Sequence, residues 1–341
     1  MLEGDQADLT SLPVHVQHDL DGGPYISASI DFALDPSTGS TNIGFRRMML
    51  RGRRQAGINL HSPSDLRAIY QQEMASGRRL PVSFVVGSHP VDSLTAVQRK
   101  AADELSLLAS FRGGSVPVVK CVTNDIRVPA DAEIVLEGYL DEHGYSEAEG
   151  PFGEFMGYYG RMKNNPVFHL TAITKRADAL FQTVTISGRH LGLTDTAIMG
   201  SLVTETTVWE ALRQAVREPV SVFATESGNG THNVRVSLRQ RSAGEARNAI
   251  AAVLGSVANV KHVFVVDDDI DIFNDHQMEW ALSTRFLGDR DLVVMADMRV
   301  IPLDPSLDGS LTGSKVGFDL TFPLSAQDEI QSRTAEPVRL S

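Results

Sequence analysis

Cysteine and long apolar runs are scarce in this chain. Its only cysteine, Cys121, has no partner for an intrachain disulfide and lies in an apolar run, so we expect a buried thiol and a reducing compartment. No apolar run reaches the roughly 18 residues of a membrane span, and the acidic N-terminus is unlike a signal peptide. We therefore expect a cytoplasmic protein with no membrane partner.

Basic charge is also in short supply. Asp and Glu number 43 against 31 Lys and Arg, which gives a net charge of −12, and no basic stripe with interleaved aromatic residues occurs. Nucleic acid is therefore not an expected partner. With 341 residues, of which 42% are hydrophobic and 22% charged, the chain is long enough and apolar enough for two domains with real cores.

The first half of the chain has a strand-like pattern that extends from residue 13 to about residue 186. One stretch, Asp92–Phe111, instead places apolar residues three or four apart and predicts a single helix. This combination favours a β-barrel covered by a helix. The β-rich runs, bounded by Gly, Pro and Asn, are Pro81–Val86, Val116–Thr123, Glu133–Leu140 and Phe168–Thr174.

Beyond residue 187 the pattern changes to alternating helices and strands. Helical spacing begins at Glu205–Val216, and Ser242 with Glu245 fits a capping box that opens a helix at Ala246–Val257. Strands are predicted at Val234–Leu238 and Val263–Val266, so an open α/β sheet is expected. We therefore place a barrel domain at 1–187, a linker at 188–204, an α/β domain at 205–326 and a tail at 327–341.

The most informative segment runs Glu149-Gly-Pro-Phe-Gly-Glu154. Glycine permits a sharp bend and proline fixes one torsion, so the turn can bring both carboxylates to one side of a cavity as an acid/base pair. In a low-dielectric pocket the two carboxylates would repel each other unless a cation lay between them. The spacing alone equally fits an exposed turn with two solvated glutamates.

This segment resembles the Glu-Gly-Pro-aromatic-Gly-acid motif of the UbiD family, and other family-like segments stand in order around it. The similarity extends from about Leu9 to Pro323, so it covers nearly the whole chain. Several motifs in register are far more specific than any one of them. The further segments are Asn42–Arg47, Val119–Asp125, Val128–Gly138, Val265–Asp271 and Trp280–Arg285.

The resemblance implies a split β-barrel that binds prenylated FMN through a divalent metal, usually Mn2+, with K+ as an additional candidate ion. By motif position the metal ligands fall on Asn42, His61 and Glu104, a set of oxygen and imidazole donors that suits manganese. Taken singly, each of the three is more often structural. Glu137 is a rival ligand, and Lys261 is expected to reach the cofactor phosphate.

The same resemblance assigns Arg47 both as a cofactor-binding residue and as the catalytic arginine that pairs with Glu149 and Glu154. In such enzymes the substrate double bond forms a cycloadduct with the prenylated flavin, and carbon dioxide leaves. The acid corresponding to Glu154 then protonates the carbon. The implied partners are a small carboxylic acid, a flavin prenyltransferase that supplies the cofactor, and further copies of the chain, with the α/β domain mediating dimerisation.

Two departures from the family pattern stand out. Typical members carry an additional N-terminal domain, which we expect to be absent, truncated or a separate subunit. The segment Lys315–Leu320 differs from the usual Asp-Ala-Thr sequence, which predicts an unusual pocket nearby. The run Asp267–Asp269 could bind a metal in isolation, but the resemblance favours a structural or interface role.

Three hypotheses for function remain open at this point. The leading one is a reversible non-oxidative decarboxylase of aromatic, heteroaromatic or α,β-unsaturated acids. The second is a subunit of a larger carboxylase or decarboxylase that is inactive alone. The third is a flavin reductase built on a split barrel, which the lack of a Gly-x-Gly-x-x-Gly fingerprint disfavours.

Overall fold

Antiparallel strands close on themselves in the N-terminal part of the computed structural model. The structure describes residues 1–98, 103–186, 188, 193–307, 309–325 and 335. By contacts the chain divides into two units, Met1–Arg189 and His190–Ser341. None of the described helices is both long enough and apolar enough to span a membrane.

The first unit contains thirteen strands and three α-helices within its described residues. The strands are β1 Leu2–Glu3, β2 Tyr25–Leu34, β3 Thr41–Leu50, β4 Gln55–Ile58, β5 Leu80–Val86, β6 Val118–Lys120, β7 Arg127–Pro129, β8 Ile134–Leu140, β9 Glu147–Glu149, β10 Phe152–Gly153, β11 Tyr159–Gly160, β12 Lys163–Asn165 and β13 Val167–Lys175. The helices are α1 Asp65–Ala75, α2 Pro90–Ala96 and α3 Glu104–Phe111.

The predicted barrel is confirmed. Its strands are hydrogen-bonded in the order β13-β4-β3-β2-β5-β8, and β8 pairs back with β13 to close the ring. Closure leaves no open edge within the ring. Apolar side chains such as Ile26, Met48, Leu136 and Phe168 form the main core of this unit, and a second cluster that includes Phe32 and Leu108 packs beside helix α3.

The single helix expected at Asp92–Phe111 is wrong. The structure has two helices there, because α2 ends at Ala96 and α3 starts at Glu104, with Asp103 as its N-cap; residues 99–102 lie outside the described part. Arg112, at the end of α3, forms ion pairs with the buried Asp92 of α2 and with Asp131. The Arg112–Asp92 pair joins the end of α3 to α2, while the start of α3 is held to β3 by hydrogen bonds from the Thr41 and Ile43 N–H groups to Asp103 and Glu104.

The second unit is an open α/β sheet, as the periodicity predicts. The strands Asn233–Leu238, His262–Asp267 and Thr312–Asp319 are parallel, Pro219–Ala224 and Leu292–Arg299 flank them antiparallel, and the helix Glu245–Ser256 packs its apolar face on the sheet. The strands are β14 Pro219–Ala224, β15 Asn233–Leu238, β16 His262–Asp267, β17 Leu292–Arg299 and β18 Thr312–Asp319. The helices are α4 Asp195–Ala215, α5 Glu245–Ser256, α6 Asp275–Arg285 and α7 Gly288–Asp291.

Helix α4 extends ten residues further toward the N-terminus than the pattern predicts. Thr194 caps it, accepting a hydrogen bond from the Ala197 N–H, so residues 195–204 of the expected linker are helical. The capping box at α5 is half formed, because the Glu245 carboxylate accepts from the Ser242 N–H while Gly244 occupies the cap position. The tail expected at 327–341 lies outside the described residues except for residue 335.

Candidate active site

Arg47 on β3 lies between the two glutamates of the Glu149–Glu154 segment. Its Nε and Nη2 donate to the two carboxylate oxygens of Glu149 at 3.0 and 3.3 Å, and its Nη1 lies 2.8 Å from Glu154 Oε2. The guanidinium also stacks on the Phe152 ring, 4.2 Å from its centroid. The exposed-turn alternative is therefore wrong, since Glu149 is 1% and Glu154 7% exposed.

The charges in this triad stabilise one another. Burial lowers the pKa of Arg47, but the neighbouring Glu154 and Glu149 raise it by more, so the guanidinium is fully protonated. Burial and the negative charge of Glu149 raise the pKa of Tyr25 on β2 well above its ordinary value, so this phenol stays neutral. The cation that two facing carboxylates require is thus supplied by the protein itself.

The turn that joins the two glutamates is built on glycine. Gly150 has φ +103°, a region that L side chains rarely adopt, and the Gly150–Pro151 peptide is cis. The strand pairs β9–β12 and β10–β11 hold the two sides of the turn. Gly160 of β11 lies so close to the Glu154 carboxylate that a Cβ there would be 2.7 Å from Oε1.

The segment His18–Gly22 supports this turn, a contact that no sequence pattern predicts. Asp21 Oδ1 accepts from the Gly153 N–H at 2.9 Å, and the Gly22 N–H donates to the Pro151 carbonyl at 2.8 Å. A Cβ on Gly22 would lie 2.1 Å from the Gly150 carbonyl oxygen. The only available signal is the pair Gly22-Gly23, which indicates a close backbone approach without saying to what.

Asn42 and Glu104, two of the three expected metal ligands, are in contact. Asn42 Nδ2 donates to Glu104 Oε2 at 3.0 Å, and the Ile43 N–H donates to the same oxygen. Burial raises the pKa of Glu104 to about 7, against the opposing effect of the Ile43 hydrogen bond. Asn42 Oδ1 is buried and has no hydrogen-bond partner among the described residues, so one oxygen donor is free to bind a cation.

His61, the third expected ligand, precedes helix α1. Its Nε2 lies 3.0 Å from the backbone carbonyl of Asn164, and its ring packs on Tyr145 at 5.3 Å between centroids. A carbonyl can only accept, so Nε2 must carry the proton and the lone pair resides on Nδ1. This is how metal-ligating histidines are usually oriented by their second nitrogen.

A cavity of about 780 Å³ opens beside Asn42 and Glu104. Its wall carries two cationic side chains, Arg46 and Arg67, and the hydroxyls of Ser62 and Ser64, one and three residues after His61. No cluster of three or more His, Cys, Asp or Glu side chains suited to a metal occurs in the described ranges. The expected set contains only two such residues plus an amide, and its ligand role remains a prediction.

The remaining expected residues have other partners. The Glu137 carboxylate accepts from the N–H groups of Val122 and Thr123 and so fixes the turn between β6 and β7, which accounts for it structurally. Lys261 lies in the second unit and contacts Asp304 at 2.7 Å, so its phosphate role remains a prediction.

The acidic run at the end of β16 also has a structural explanation. The completely buried Arg285 of α6 donates to both Asp269 oxygens at 2.9 and 2.7 Å. Asp267 accepts from Gln240 and from the Phe322 N–H. These contacts join α6 to the strand, which supports the structural role over a metal site.

Family models cover most of the chain. The UbiD model, described as the 3-octaprenyl-4-hydroxybenzoate carboxy-lyase Rift-related domain, matches residues 1–190, and the C-terminal domain model of the same family matches residues 197–320. The chain therefore belongs to the UbiD family and is a carboxy-lyase. Because the chain belongs to a family of carboxy-lyases, the flavin-reductase hypothesis is wrong.

Individual relatives agree with this assignment. The chain is 32% identical over 328 residues to the anhydromevalonate phosphate decarboxylase of Methanothermobacter thermautotrophicus, covering 96% of this chain and 76% of that protein. The UbiD-class enzyme HmfF of Pelotomaculum thermopropionicum, solved with FMN, matches with a TM-score of 0.91 and 34% identity over 99% of this chain and 75% of that one. The vanillic acid decarboxylase ShVdcCD of Sedimentibacter hydroxybenzoicus matches with a TM-score of 0.83 and 26% identity, over 99% and 70%.

Proposed function

We propose that this chain catalyses the reversible non-oxidative decarboxylation of an aromatic, heteroaromatic or α,β-unsaturated carboxylic acid with prenylated FMN as cofactor. The observation that carries the proposal is the bidentate and bridging position of Arg47 between the buried Glu149 and Glu154. Relatives named for anhydromevalonate phosphate and vanillic acid support decarboxylation of unsaturated or aromatic acids as a class, but they do not choose among these substrates.

The expected ligands suit a flavin phosphate held through a cation, and two of them, Asn42 and Glu104, line the 780 Å³ cavity. Asn42 Oδ1 is a buried oxygen without a partner, the Glu104 carboxylate lies beside it, and His61 presents Nδ1 as its lone-pair nitrogen. One amide oxygen, one carboxylate and one imidazole form a donor set suited to Mn2+. The cations Arg46 and Arg67 on the same wall would favour the phosphate.

The chain's own residues would manage charge and protons. When bound, the prenylated flavin supplies the electron sink that accepts the electron pair left by departing carbon dioxide. Arg47 would orient the substrate carboxylate, and Glu154, at the less hydrogen-bonded end of the pair, would deliver a proton to the carbon that loses carbon dioxide. Glu149 would remain anionic and keep Arg47 in place.

The experiment is co-expression with a flavin prenyltransferase, followed by an ultraviolet–visible spectrum, mass analysis and manganese quantification. We expect a prenylated flavin and about one manganese per chain. Both should be lost in His61→Ala. The exposed His276→Ala, on α6 of the other unit, is the matched control and should keep both. A wild-type protein that stays empty, or a His61→Ala variant that retains flavin and metal, would contradict the proposed site.

The chain alone can be compared with a larger assembly in the same preparation. The structural relative ShVdcCD was solved with a truncated second component, and an evolved form of HmfF is dimeric. A loaded chain that releases carbon dioxide from none of a panel of unsaturated and aromatic acids would favour the partner-dependent subunit. Sedimentation of the loaded protein tests the proposed homo-oligomer.

A further inference from the structure

Asn165 on β12 is completely buried, and its side chain contacts the acid pair. Its Nδ2 donates to Glu149 Oε2 at 3.0 Å. Its Oδ1 is buried without a hydrogen-bond partner among the described residues. A half-satisfied buried amide is less favourable than an apolar side chain of the same size, so packing alone does not account for an asparagine at this position.

The two catalytic carboxylates receive unequal numbers of donors. Glu149 accepts from Arg47 Nε, from Arg47 Nη2 and from Asn165 Nδ2, whereas among the described side chains Glu154 contacts only Arg47 Nη1. Donors directed at a carboxylate favour its charged form. The amide orientation fits this state, because rotating it would place Oδ1 against the carboxylate.

We propose that Asn165 is a positioning residue that holds Glu149 in its ionised form and thereby confines the exchangeable proton of the pair to Glu154. This inference rests on the proposed decarboxylase function and deepens it. Without the third donor, Glu149 would bind a proton more readily. Part of the enzyme would then carry its proton on the wrong carboxylate.

Other charged groups surround Glu149 and remain in place when Asn165 is replaced. Arg47 approaches from β3, Glu154 from beyond the turn, and the neutral Tyr25 from β2, with Asp21 also acting on that phenol. Lys163 stands opposite Glu149 in the β9–β12 register. A comparison between variants at position 165 therefore measures the effect of the Asn165 amide on Glu149 separately from these other groups.

The test is the pH dependence of kcat/KM for decarboxylation, in wild type and in Asn165→Leu, which keeps the size but loses the donor. Protonation of Glu149 causes the fall of kcat/KM on the acid side of the profile, here called the acid limb. In Asn165→Leu we expect the midpoint of this limb to move to higher pH by roughly one unit, which corresponds to a single hydrogen bond to a charged group. Asn165→Asp is isosteric and places an acceptor beside Glu149, so its limb should move up further. Asn248→Leu, on the exposed side of α5, should leave the profile unchanged.

A second readout needs no activity. In the cofactor-free protein, Glu104 contributes its own infrared band of a protonated carboxyl, so spectra are compared as differences between variants. A component of this band should persist in Glu149→Gln, be missing in Glu154→Gln, and disappear at higher pH in Asn165→Leu than in wild type. A purely structural role would lower the rate without moving either the limb or the band. An unmoved limb in both Asn165 variants of an active enzyme overturns the role of Asn165. An inactive but cofactor-loaded wild type overturns the decarboxylase proposal instead.

Discussion

Replacing Arg47 by lysine is a severe test of its contact with Glu149 and Glu154, because the change keeps the positive charge and removes only the forked arrangement of guanidinium donors. In the structure one guanidinium makes contacts of 3.0, 3.3 and 2.8 Å with two separate carboxylates. A lysine ammonium is a single point on a flexible stem, so it can neutralise one carboxylate but cannot hold both in a fixed relation. The change therefore separates charge from geometry.

The magnitude follows from the contacts that are lost. Each hydrogen bond to a charged group contributes about 1.5–3 kcal/mol, so losing one or two of the three amounts to about 3 kcal/mol. If that loss appears in the transition state, kcat falls on the order of 100-fold. The loss should fall on kcat rather than on manganese content, because Arg47 is not among the residues expected to hold the metal.

Steady-state decarboxylation by the cofactor-loaded enzyme is the assay, with flavin and manganese content measured on the same samples. The matched control is Arg53→Lys, since Arg53 is 67% exposed and pairs with Asp8 at the surface; its kcat should stay within twofold of wild type. A kcat for Arg47→Lys within threefold of wild type would refute the argument that the fork, and not merely the charge, is required.

Two further predictions concern the segment His18–Gly22 and the second unit. Gly22→Ala should lower both the melting temperature and kcat, because its Cβ would lie 2.1 Å from the Gly150 carbonyl oxygen. The control, Gly255→Ala in α5, places its Cβ within 4 Å of no atom and should be neutral or stabilising. A fully active Gly22→Ala enzyme would show that the turn can move away from residue 22 without loss of function. Burial lowers the pKa of Lys315 in the folded protein to about 8 from 10.5. Between pH 8 and 10.5 the unfolded state therefore binds more protons than the folded state. The free energy of unfolding should rise with pH across that window, by up to about 3 kcal/mol. Urea unfolding followed by the fluorescence of the only two tryptophans, both in the second unit, should show this rise in wild type but not in Lys315→Met, and parallel curves for the two proteins would contradict it.

The contact of Arg47 with Glu149 and Glu154 could be predicted because the motifs that carry these residues resemble those of the UbiD family. Glu149 and Glu154 flank a turn whose glycines and proline are visible in the sequence, and Arg47 follows Asn42 on one strand. The barrel and the open sheet were likewise predictable, since period-two and period-3.6 patterns report which faces are buried.

The break between α2 and α3 was not predictable from periodicity. Apolar spacing continues through the region, and the positions at Leu94 and Leu105 fit one helical face as well as two. What separates the helices is tertiary, because Arg112 pairs with Asp92 across the two segments. The start of helix α4 is hard to predict for a related reason, since its first ten residues contain Gly200 and two threonines, Thr196 and Thr204, which weaken the helical pattern.

The supporting residues of the site lay beyond sequence reasoning. Asp21 acts on a backbone N–H more than 130 positions away, and Asn165 is adjacent to Glu149 only through the β9–β12 pairing. No local spacing encodes such contacts, because strand register, and not sequence distance, brings the groups together.

The most direct test of the central claim compares wild type with Glu154→Gln after co-expression with a flavin prenyltransferase, measuring carbon dioxide release from a panel of aromatic, heteroaromatic and α,β-unsaturated acids. Glutamine keeps the shape of Glu154 and its place beside Arg47 but cannot donate the acid proton. The account predicts that wild type releases carbon dioxide from at least one acid and that Glu154→Gln, with flavin and manganese still bound, is slower by on the order of 100-fold or more. Equal rates in the two proteins would contradict the assignment of Glu154 as the acid.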